Sequence, residues 1–299
     1  CALFRWEENK HYLLWSHHHI ITDGSSNSII LEEVKNNYIN LVNGRDVDTV
    51  SAKKPYRDYI AWIGQQHTQK SIDQFWKTYL SSIEEGSNLS FKETIEKKEK
   101  DSYENYAVEF SIEKTEEFKK FTQKHNLTLN TLFQGSVGLV LNRYMNQAET
   151  VIGVTVSGRN ADLLGIEDMV GLFINTLPLK ISPKPGMKIL SFLEDLQTQT
   201  QHINEFSYTP LAKIQSWVGS DAKLFNVIFV CENYPTEKKS KKTESFFTIS
   251  RLKGVEKTEY PLTILLEPGK QIRIEFSYQT EHFNKDIIKR FANHIQMLL

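Results

Sequence analysis

Three consecutive histidines, His17, His18 and His19, stand shortly before an Asp-Gly pair in residues 16–25, SHHHIITDGS. Because an imidazole titrates near neutrality, a histidine here could take a proton from an amine, hydroxyl or thiol during acyl transfer. A metal site is a second interpretation, but neighbouring histidines on a strand diverge and the helical His-x-x-x-His spacing is absent. In a third, structural interpretation the histidines bond to the backbone and Asp23 caps a helix. This segment alone leaves the choice open.

The elements around the histidines are predicted from their apolar patterns. The apolar run at residues 12–15 indicates a strand, and the spacing of apolar residues over 25–42 indicates a helix with an apolar face. If the strand period of two continues through the histidines, His17 and His19 share one face and His18 points to the other. The sequence therefore predicts a strand, a turn and a helix that hold one imidazole at the edge of a cleft.

Helical and strand patterns alternate along the rest of the chain. A β-branched run at 150–156 indicates a buried strand. Hairpins are expected at 3–15, around EENK, and at 262–278, around EPGK, and a further strand at 246–251. This mixture predicts an α/β fold, an α+β sandwich with a mixed sheet. The charged stretch 86–101 is a predicted linker between segments 1–85 and 102–299.

Composition excludes several classes of function. The chain has 299 residues, 39% hydrophobic and 24% charged, which is ordinary for a soluble globular protein. A net charge of -1 argues against nucleic acid as a partner, because there is no basic excess to neutralise phosphates. No apolar run approaches the roughly 20 residues of a membrane span. Cys1 and Cys231 do not form a disulfide framework, so the cytoplasm is the expected location.

Further motifs follow the histidine segment in a fixed order. HHIITDG at 18–24 resembles the HHxxxDG signature of condensation domains of nonribosomal peptide synthetases, in the chloramphenicol-acetyltransferase-like superfamily. Three later segments are similar to further motifs of that family: YRDYIAW at 56–62, VGLFINTLP at 170–178 and LFNVIFVCENYP at 224–235, with Asn226 in place of the usual Asp. YTPL at 208–211 matches a fifth, more degenerate motif poorly.

The resemblance implies two chloramphenicol-acetyltransferase-like lobes in a V shape with a tunnel between them. Residues 1–85 would be the C-terminal part of the first lobe and 102–299 the second. The implied reaction is peptide-bond formation between a donor aminoacyl or peptidyl thioester and an acceptor aminoacyl thioester. Both substrates would arrive on the phosphopantetheine arms of peptidyl carrier domains, beside an adenylation domain, and the domain itself would bind no cofactor. Because catalysis would rest largely on positioning two activated groups, no metal is expected.

Residue roles are carried over from the same resemblance. His19 would be the catalytic residue, orienting the acceptor amine or accepting its proton, and His18 a buried hydrogen-bonding residue. Asp23 would hold the loop through an ion pair to an upstream arginine, and Gly24 would let the backbone approach the acceptor arm. Both histidines exclude the heterocyclising relatives, which carry aspartate there. Candidate tunnel-lining residues are Ser157, Arg159 and Asn175.

Two other functions remain as alternatives. One is a stand-alone acyltransferase that uses coenzyme A, for which His-x-x-x-Asp-Gly would suffice. The other is a catalytically idle platform that keeps the fold to bind a carrier domain. The family also carries a first half-lobe upstream of its histidine motif, which this sequence does not show. The resemblance therefore implies that the first lobe is incomplete and that the chain alone is inactive.

Overall fold

A computed structural model describes residues 1–47, 53–66, 70–91, 102–218, 223–232 and 258–299. The chain divides into two compact units: unit 1 is Cys1–Gln66 with Ala161–Ile174, and unit 2 is His67–Asn160 with Asn175–Leu299. These bounds differ from the predicted segments, because the segment after residue 66 belongs to unit 2 and Ala161–Ile174 to unit 1. The strand expected at 246–251 and residues 92–101 of the expected linker lie outside the described residues.

Unit 1 begins with the predicted hairpin. Strands β1, Ala2–Glu7, and β2, Lys10–Leu14, pair antiparallel, with Phe4 opposite Tyr12. The other elements are a 3₁₀ helix, His19–Ile21; helix α1, Gly24–Val42; helix α2, Tyr56–Gln66; and a second 3₁₀ helix, Ile166–Asp168. The predicted hairpin and the predicted helix at 25–42 are confirmed.

The predicted apolar face of α1 is not part of a core in this structure. Ser26 is the one buried residue of α1, whereas Val34, Tyr38 and Val42 are each about half exposed. Every residue of β1 and β2 is exposed as well. The core of unit 1 is a small cluster elsewhere, formed by Tyr59, Ile166, Met169 and Phe173.

Unit 2 contains a six-stranded sheet with helices packed on it. Its helices are α3, Lys70–Tyr79; α4, Ile112–Lys124; α5, Leu129–Met145; α6, Ile189–Glu205; α7, Leu211–Val218; and α8, Lys285–Leu298. Its strands are β3, Tyr103–Glu109; β4, Thr150–Val156; β5, Asn175–Ile181; β6, Val227–Cys231; β7, Leu262–Glu267; and β8, Arg273–Gln279.

The strand order is β3-β8-β7-β6-β4-β5. The pairs β4–β6 and β6–β7 are parallel, and the pairs β3–β8, β7–β8 and β4–β5 are antiparallel. The sheet is therefore mixed, which confirms the predicted α/β class. The first five residues of β4 are buried, as its β-branched run predicts, and β7 and β8 form the predicted hairpin around residues 268–272.

The edge strand β5 is protected against further pairing. The Thr176 N–H donates to Oδ1 of Asn175 at 2.9 Å, and the Lys180 N–H donates to the hydroxyl of Tyr79 in α3, also at 2.9 Å. Pro178, between them on the same side of the strand, has no N–H to donate. Because these groups are satisfied or missing, the edge offers no free row of donors to another chain.

The described part of the expected linker, residues 86–91, packs into unit 2 instead of forming a solvated connector. Ser87 is buried, its N–H donates to the Leu224 carbonyl at 2.8 Å, and its hydroxyl accepts from the Val151 N–H at 2.7 Å. The Asn226 side chain accepts from the Leu89 N–H and donates to the Leu89 carbonyl, at 2.8 and 2.9 Å. An ionised aspartate could accept only, so asparagine at this position adds a bond to the main chain.

No helix in the described part of the chain has the length and apolar character needed to cross a membrane.

Candidate functional site

The histidine segment leaves the β-strand earlier than the sequence predicts. Strand β2 ends at Leu14, His18 has an extended backbone, and His19 begins the 3₁₀ helix. The physical reason lies in His18, whose Nδ1 accepts a hydrogen bond from the Ile20 N–H at 3.1 Å and caps that helix. The prediction that His17 and His19 share one strand face is therefore wrong.

His18 and His19 differ in the use of their ring nitrogens. Nδ1 of His18 acts as an acceptor, so in a neutral ring the proton sits on Nε2. The hydrogen bond agrees with the role expected for His18, but its side chain is exposed and not buried. The His19 side chain is exposed too, and no hydrogen bond ties it to any residue that the structure describes. Both nitrogens of His19 can therefore face a ligand.

The Asp23 carboxylate joins two segments that are far apart in sequence. Its side chain is only 1% exposed. Oδ1 accepts from the Ser26 N–H at 2.8 Å, which caps the N-terminus of α1, and Oδ2 accepts from the Phe173 N–H at 3.0 Å. The structural role expected for Asp23 thus has a visible basis in main-chain N–H groups, whereas the resemblance implies an ion pair. Gly24 is the first residue of α1, directly after this cap.

Ser26 adds a second connection between the same segments. Its wholly buried hydroxyl donates to the Gly171 carbonyl at 2.7 Å and accepts from the Gly171 N–H at 3.0 Å. Sequence reasoning did not find Ser26. The Asp-x-x-Ser spacing indicates a capped helix start, but nothing local indicates a bond to a residue 145 positions away.

Tyr56 brings a third motif to this place. Its hydroxyl donates to the Leu172 carbonyl, and its ring lies so close to Gly171 that an added Cβ would come within 2.1 Å of the ring. Glycine is therefore required at position 171. Burial, and next the negative charge of Asp23, raise the pKa of Tyr56 above its ordinary value of 10.0. At neutral pH the phenol thus remains a hydrogen-bond donor.

An aromatic cluster supports these bonds from the other side. The Phe173 ring lies 5.1 Å from Tyr56 in an edge-to-face arrangement and 4.6 Å from Tyr59, and Trp62 stacks on Tyr59 at 6.2 Å. Tyr56 and Trp62 therefore serve in packing, as the sequence predicts. The segments 18–24, 56–62 and 170–178 meet here in one network within unit 1.

The three candidate tunnel-lining residues lie at one end of the β4–β5 pair in unit 2. Ser157 and Arg159 follow β4, and Asn175 opens β5 opposite Val156. The Asn175 amide donates to the carbonyls of Ser207 and Thr209 at 2.8 and 2.7 Å. It thus holds the loop after α6 on the sheet. The structure groups these residues in unit 2, and His18, His19, Asp23 and Gly24 in unit 1; the tunnel-lining role stays a prediction.

Metal and thiol chemistry find little support among the described residues. Nowhere in the described segments do three His, Cys, Asp or Glu side chains come together in a way that could hold a metal ion. Cys231, at the end of β6, is about three-quarters buried, and this burial, with the charge of Glu232 beside it, raises the pKa of its thiol from 9.0 to about 11. The thiol is thus protonated at neutral pH, consistent with the structural role the sequence predicts.

We predict slow alkylation of Cys231 in a Cys1→Ser variant, where it is the one remaining thiol. At pH 8 the thiolate fraction is about 100-fold lower for a pKa near 11 than for one near 9, so iodoacetamide should react about 100-fold slower than in denaturant. Because the folded-state pKa is the higher one, the thiol's contribution to stability is complete below about pH 9 and is lost as pH rises towards 11. Equal rates in the folded and unfolded chain would contradict the prediction.

The mixed sheet and the His-x-x-x-Asp-Gly turn define an α/β protein of the chloramphenicol-acetyltransferase-like class. The family model described as Condensation domain matches residues 1–299. The chain belongs to the condensation-domain family.

Its relatives are large peptide synthetases. The chain is 35% identical over 301 residues to one linear gramicidin synthase polypeptide of Brevibacillus parabrevis and 36% identical over 309 residues to another. These matches cover the whole chain but only 4% and 6% of the relatives. Bacitracin synthase 3 of Bacillus licheniformis is 32% identical over 300 residues, with 98% of this chain and 5% of the relative covered. The chain therefore spans a small part of the curated relatives it matches.

Solved structures share the fold. The X-domain from teicoplanin biosynthesis superposes with a TM-score of 0.77 at 18% identity, covering 94% of this chain and 67% of the other. The first condensation domain of the calcium-dependent antibiotic synthetase, in complex with a substrate analogue, superposes with a TM-score of 0.70 at 15% identity. That match covers 94% of this chain and 62% of the solved one.

Proposed function

We propose that this chain catalyses peptide-bond formation in nonribosomal peptide synthesis. A donor aminoacyl or peptidyl thioester and an acceptor aminoacyl thioester, each carried on phosphopantetheine of a carrier domain, would react to give an amide. The observation that carries the proposal is the Asp23 carboxylate, which binds the Ser26 and Phe173 N–H groups and so fixes the turn that bears His19.

His19 is the group that we place at the reaction. The acceptor amine forms a bond to the donor carbonyl carbon, the carbon–sulfur bond breaks, and the amine proton ends on the leaving thiol. An imidazole with both nitrogens open can orient the amine, take its proton and pass it to sulfur. Since a thioester is already activated, positioning supplies much of the acceleration.

The neighbouring residues support His19 and do not replace it. Nδ1 of His18 is occupied by the Ile20 N–H, so His18 shapes the turn. Gly24 would admit the acceptor arm because it has no side chain to displace. We propose carrier and adenylation domains as partners and the cytoplasm as location, in keeping with the multidomain synthetases that the chain resembles.

The test is a donor comparison with the natural gene product that contains this chain. Donor and acceptor aminoacyl groups are loaded on separate carrier proteins, and mass spectrometry follows the amide product on the acceptor carrier. We expect product from carrier-bound donors and none from the same acyl groups on coenzyme A. Turnover of coenzyme A thioesters alone would point to a stand-alone acyltransferase, and no turnover with either donor to an idle platform; both results would overturn the proposal.

A further inference from the structure

A cavity of about 330 Å³ lies in unit 2, where the end of α3, the edge strand β5 and helix α6 meet. This volume suits a small organic molecule. The cavity lies away from the β4–β5 end that carries Ser157 and Asn175, because Lys180 stands near the opposite end of β5. No residue assigned above to the condensation reaction lines it.

The wall formed by α3 is fixed by hydrogen bonds. The Tyr79 hydroxyl accepts from the Lys180 N–H at 2.9 Å and donates to Oε1 of Gln199 in α6 at 3.4 Å. Burial raises the pKa of Tyr79 above its ordinary 10.0, so the phenol stays neutral. The three elements around the cavity are thus tied together by one side chain, and the cavity keeps its shape without a ligand.

The lining combines positive charge with an apolar surface. The Lys180 ammonium lies 5.7 Å from the centre of the Tyr79 ring and donates to the Ser82 hydroxyl at 3.2 Å. Lys184 supplies a second ammonium group, and neither lysine makes an ion pair with a residue that the structure describes. Asp195 is the one acidic residue of the lining, so the cavity carries a net positive charge. Met187 and buried Phe192 provide the apolar part.

From this arrangement we propose a binding site for a small molecule with a carboxylate or phosphate head and a compact apolar body. Lys180 and Lys184 bind the anion, since each ammonium keeps donors that the protein does not use. Met187 and Phe192 contact the body. The mixture of a few convergent polar groups with an apolar wall is typical of ligand sites.

The test titrates the 299-residue chain with phenyl phosphate, benzoate and uncharged benzyl alcohol by calorimetry. We expect saturable binding of an anion with a Kd on the order of 1 mM, the strength expected for about ten heavy atoms, and no measurable binding of benzyl alcohol. A preference for phenyl phosphate assigns the site to phosphates, and a preference for benzoate to carboxylates. Equal binding of benzyl alcohol, or no saturable binding of either anion, overturns the proposal.

Variants locate the binding. Lys180→Met and Lys184→Met keep the aliphatic stems, and each should weaken anion binding about tenfold, because each removes a charged donor. Lys180→Arg retains the charge and should restore binding if Lys180→Met folds poorly. Lys188→Met, which changes an exposed lysine outside the lining, is the matched control and should bind as the parent does. A loss of binding in Lys188→Met equal to that in the cavity variants would show that surface charge alone attracts the anion.

Discussion

Replacing His19 with alanine should lower the rate of dipeptide formation by about 10²–10⁴-fold, the usual contribution of a positioned general base. The imidazole is exposed, and the described residues leave both of its nitrogens available to the acceptor amine. The measurement is single-turnover formation of the amide on the acceptor carrier, with the carriers loaded before mixing. A loss smaller than about threefold would remove His19 from the reaction.

His18→Ala is the matched control, because it removes an adjacent imidazole whose Nδ1 is already bonded to the Ile20 N–H. We expect a loss of roughly fivefold, the value of one net hydrogen bond in the turn. His19→Gln separates two roles, since glutamine can orient an amine but cannot take its proton. If His19 is a base, the variant stays slow and loses the acid limb of the pH–rate profile. If His19 only positions the amine, glutamine restores most of the rate.

Replacing Asp23 with alanine should lower the local free energy of opening around α1 by about 2–4 kcal/mol. The loss of the helix cap accounts for about 1 kcal/mol. The buried Phe173 N–H, left without its acceptor, adds roughly 1–3 kcal/mol. Amide hydrogen exchange is the suitable measurement, because two units can open separately and a single unfolding midpoint would mix them. Protection at residues 24–27 and 171–174 should fall together, by roughly 30- to 1000-fold.

Two variants divide this effect into its parts. Asp23→Asn can keep the cap through its amide oxygen but presents a donor to the Phe173 N–H, so we expect an intermediate loss. Asn284→Ala removes the cap of α8, which makes one bond to the Ile287 N–H at 2.8 Å, and should cost only about 1 kcal/mol. If Asp23→Ala cost no more than Asn284→Ala, or left residues 171–174 protected, Asp23 would be an ordinary cap and not the link between the two segments.

Several elements follow from the sequence because their causes are local. Alternating apolar residues and a turn predict the β1–β2 and β7–β8 hairpins, and the run at 150–156 predicts β4 with its observed bounds. An Asp before a helical pattern predicts the cap of α1. Each of these signals lies within about ten residues of the structure it specifies, so periodicity and capping rules can find it.

Local patterns misplaced the histidines for an equally physical reason. The strand period applies only while the backbone stays paired, and β1 offers no partner beyond Leu14, which pairs with Ala2. Once pairing ends, the bond from the Ile20 N–H to His18 favours a 3₁₀ turn. The resemblance named His19 as the reacting residue, but only the structure gives its exposed place at the start of that turn.

The sequence by itself determined the class of fold, the family motifs and the residues proposed to do chemistry. The tertiary structure decided how those motifs support one another: Asp23 on Phe173, Ser26 on Gly171 and Tyr56 on Leu172, across 116 to 150 residues of chain. It also decided that Ser87 packs against β4 and that Tyr79 closes the edge of β5. These contacts have no local signal, because a buried hydroxyl or carboxylate bonds to whichever main-chain group the fold brings to it.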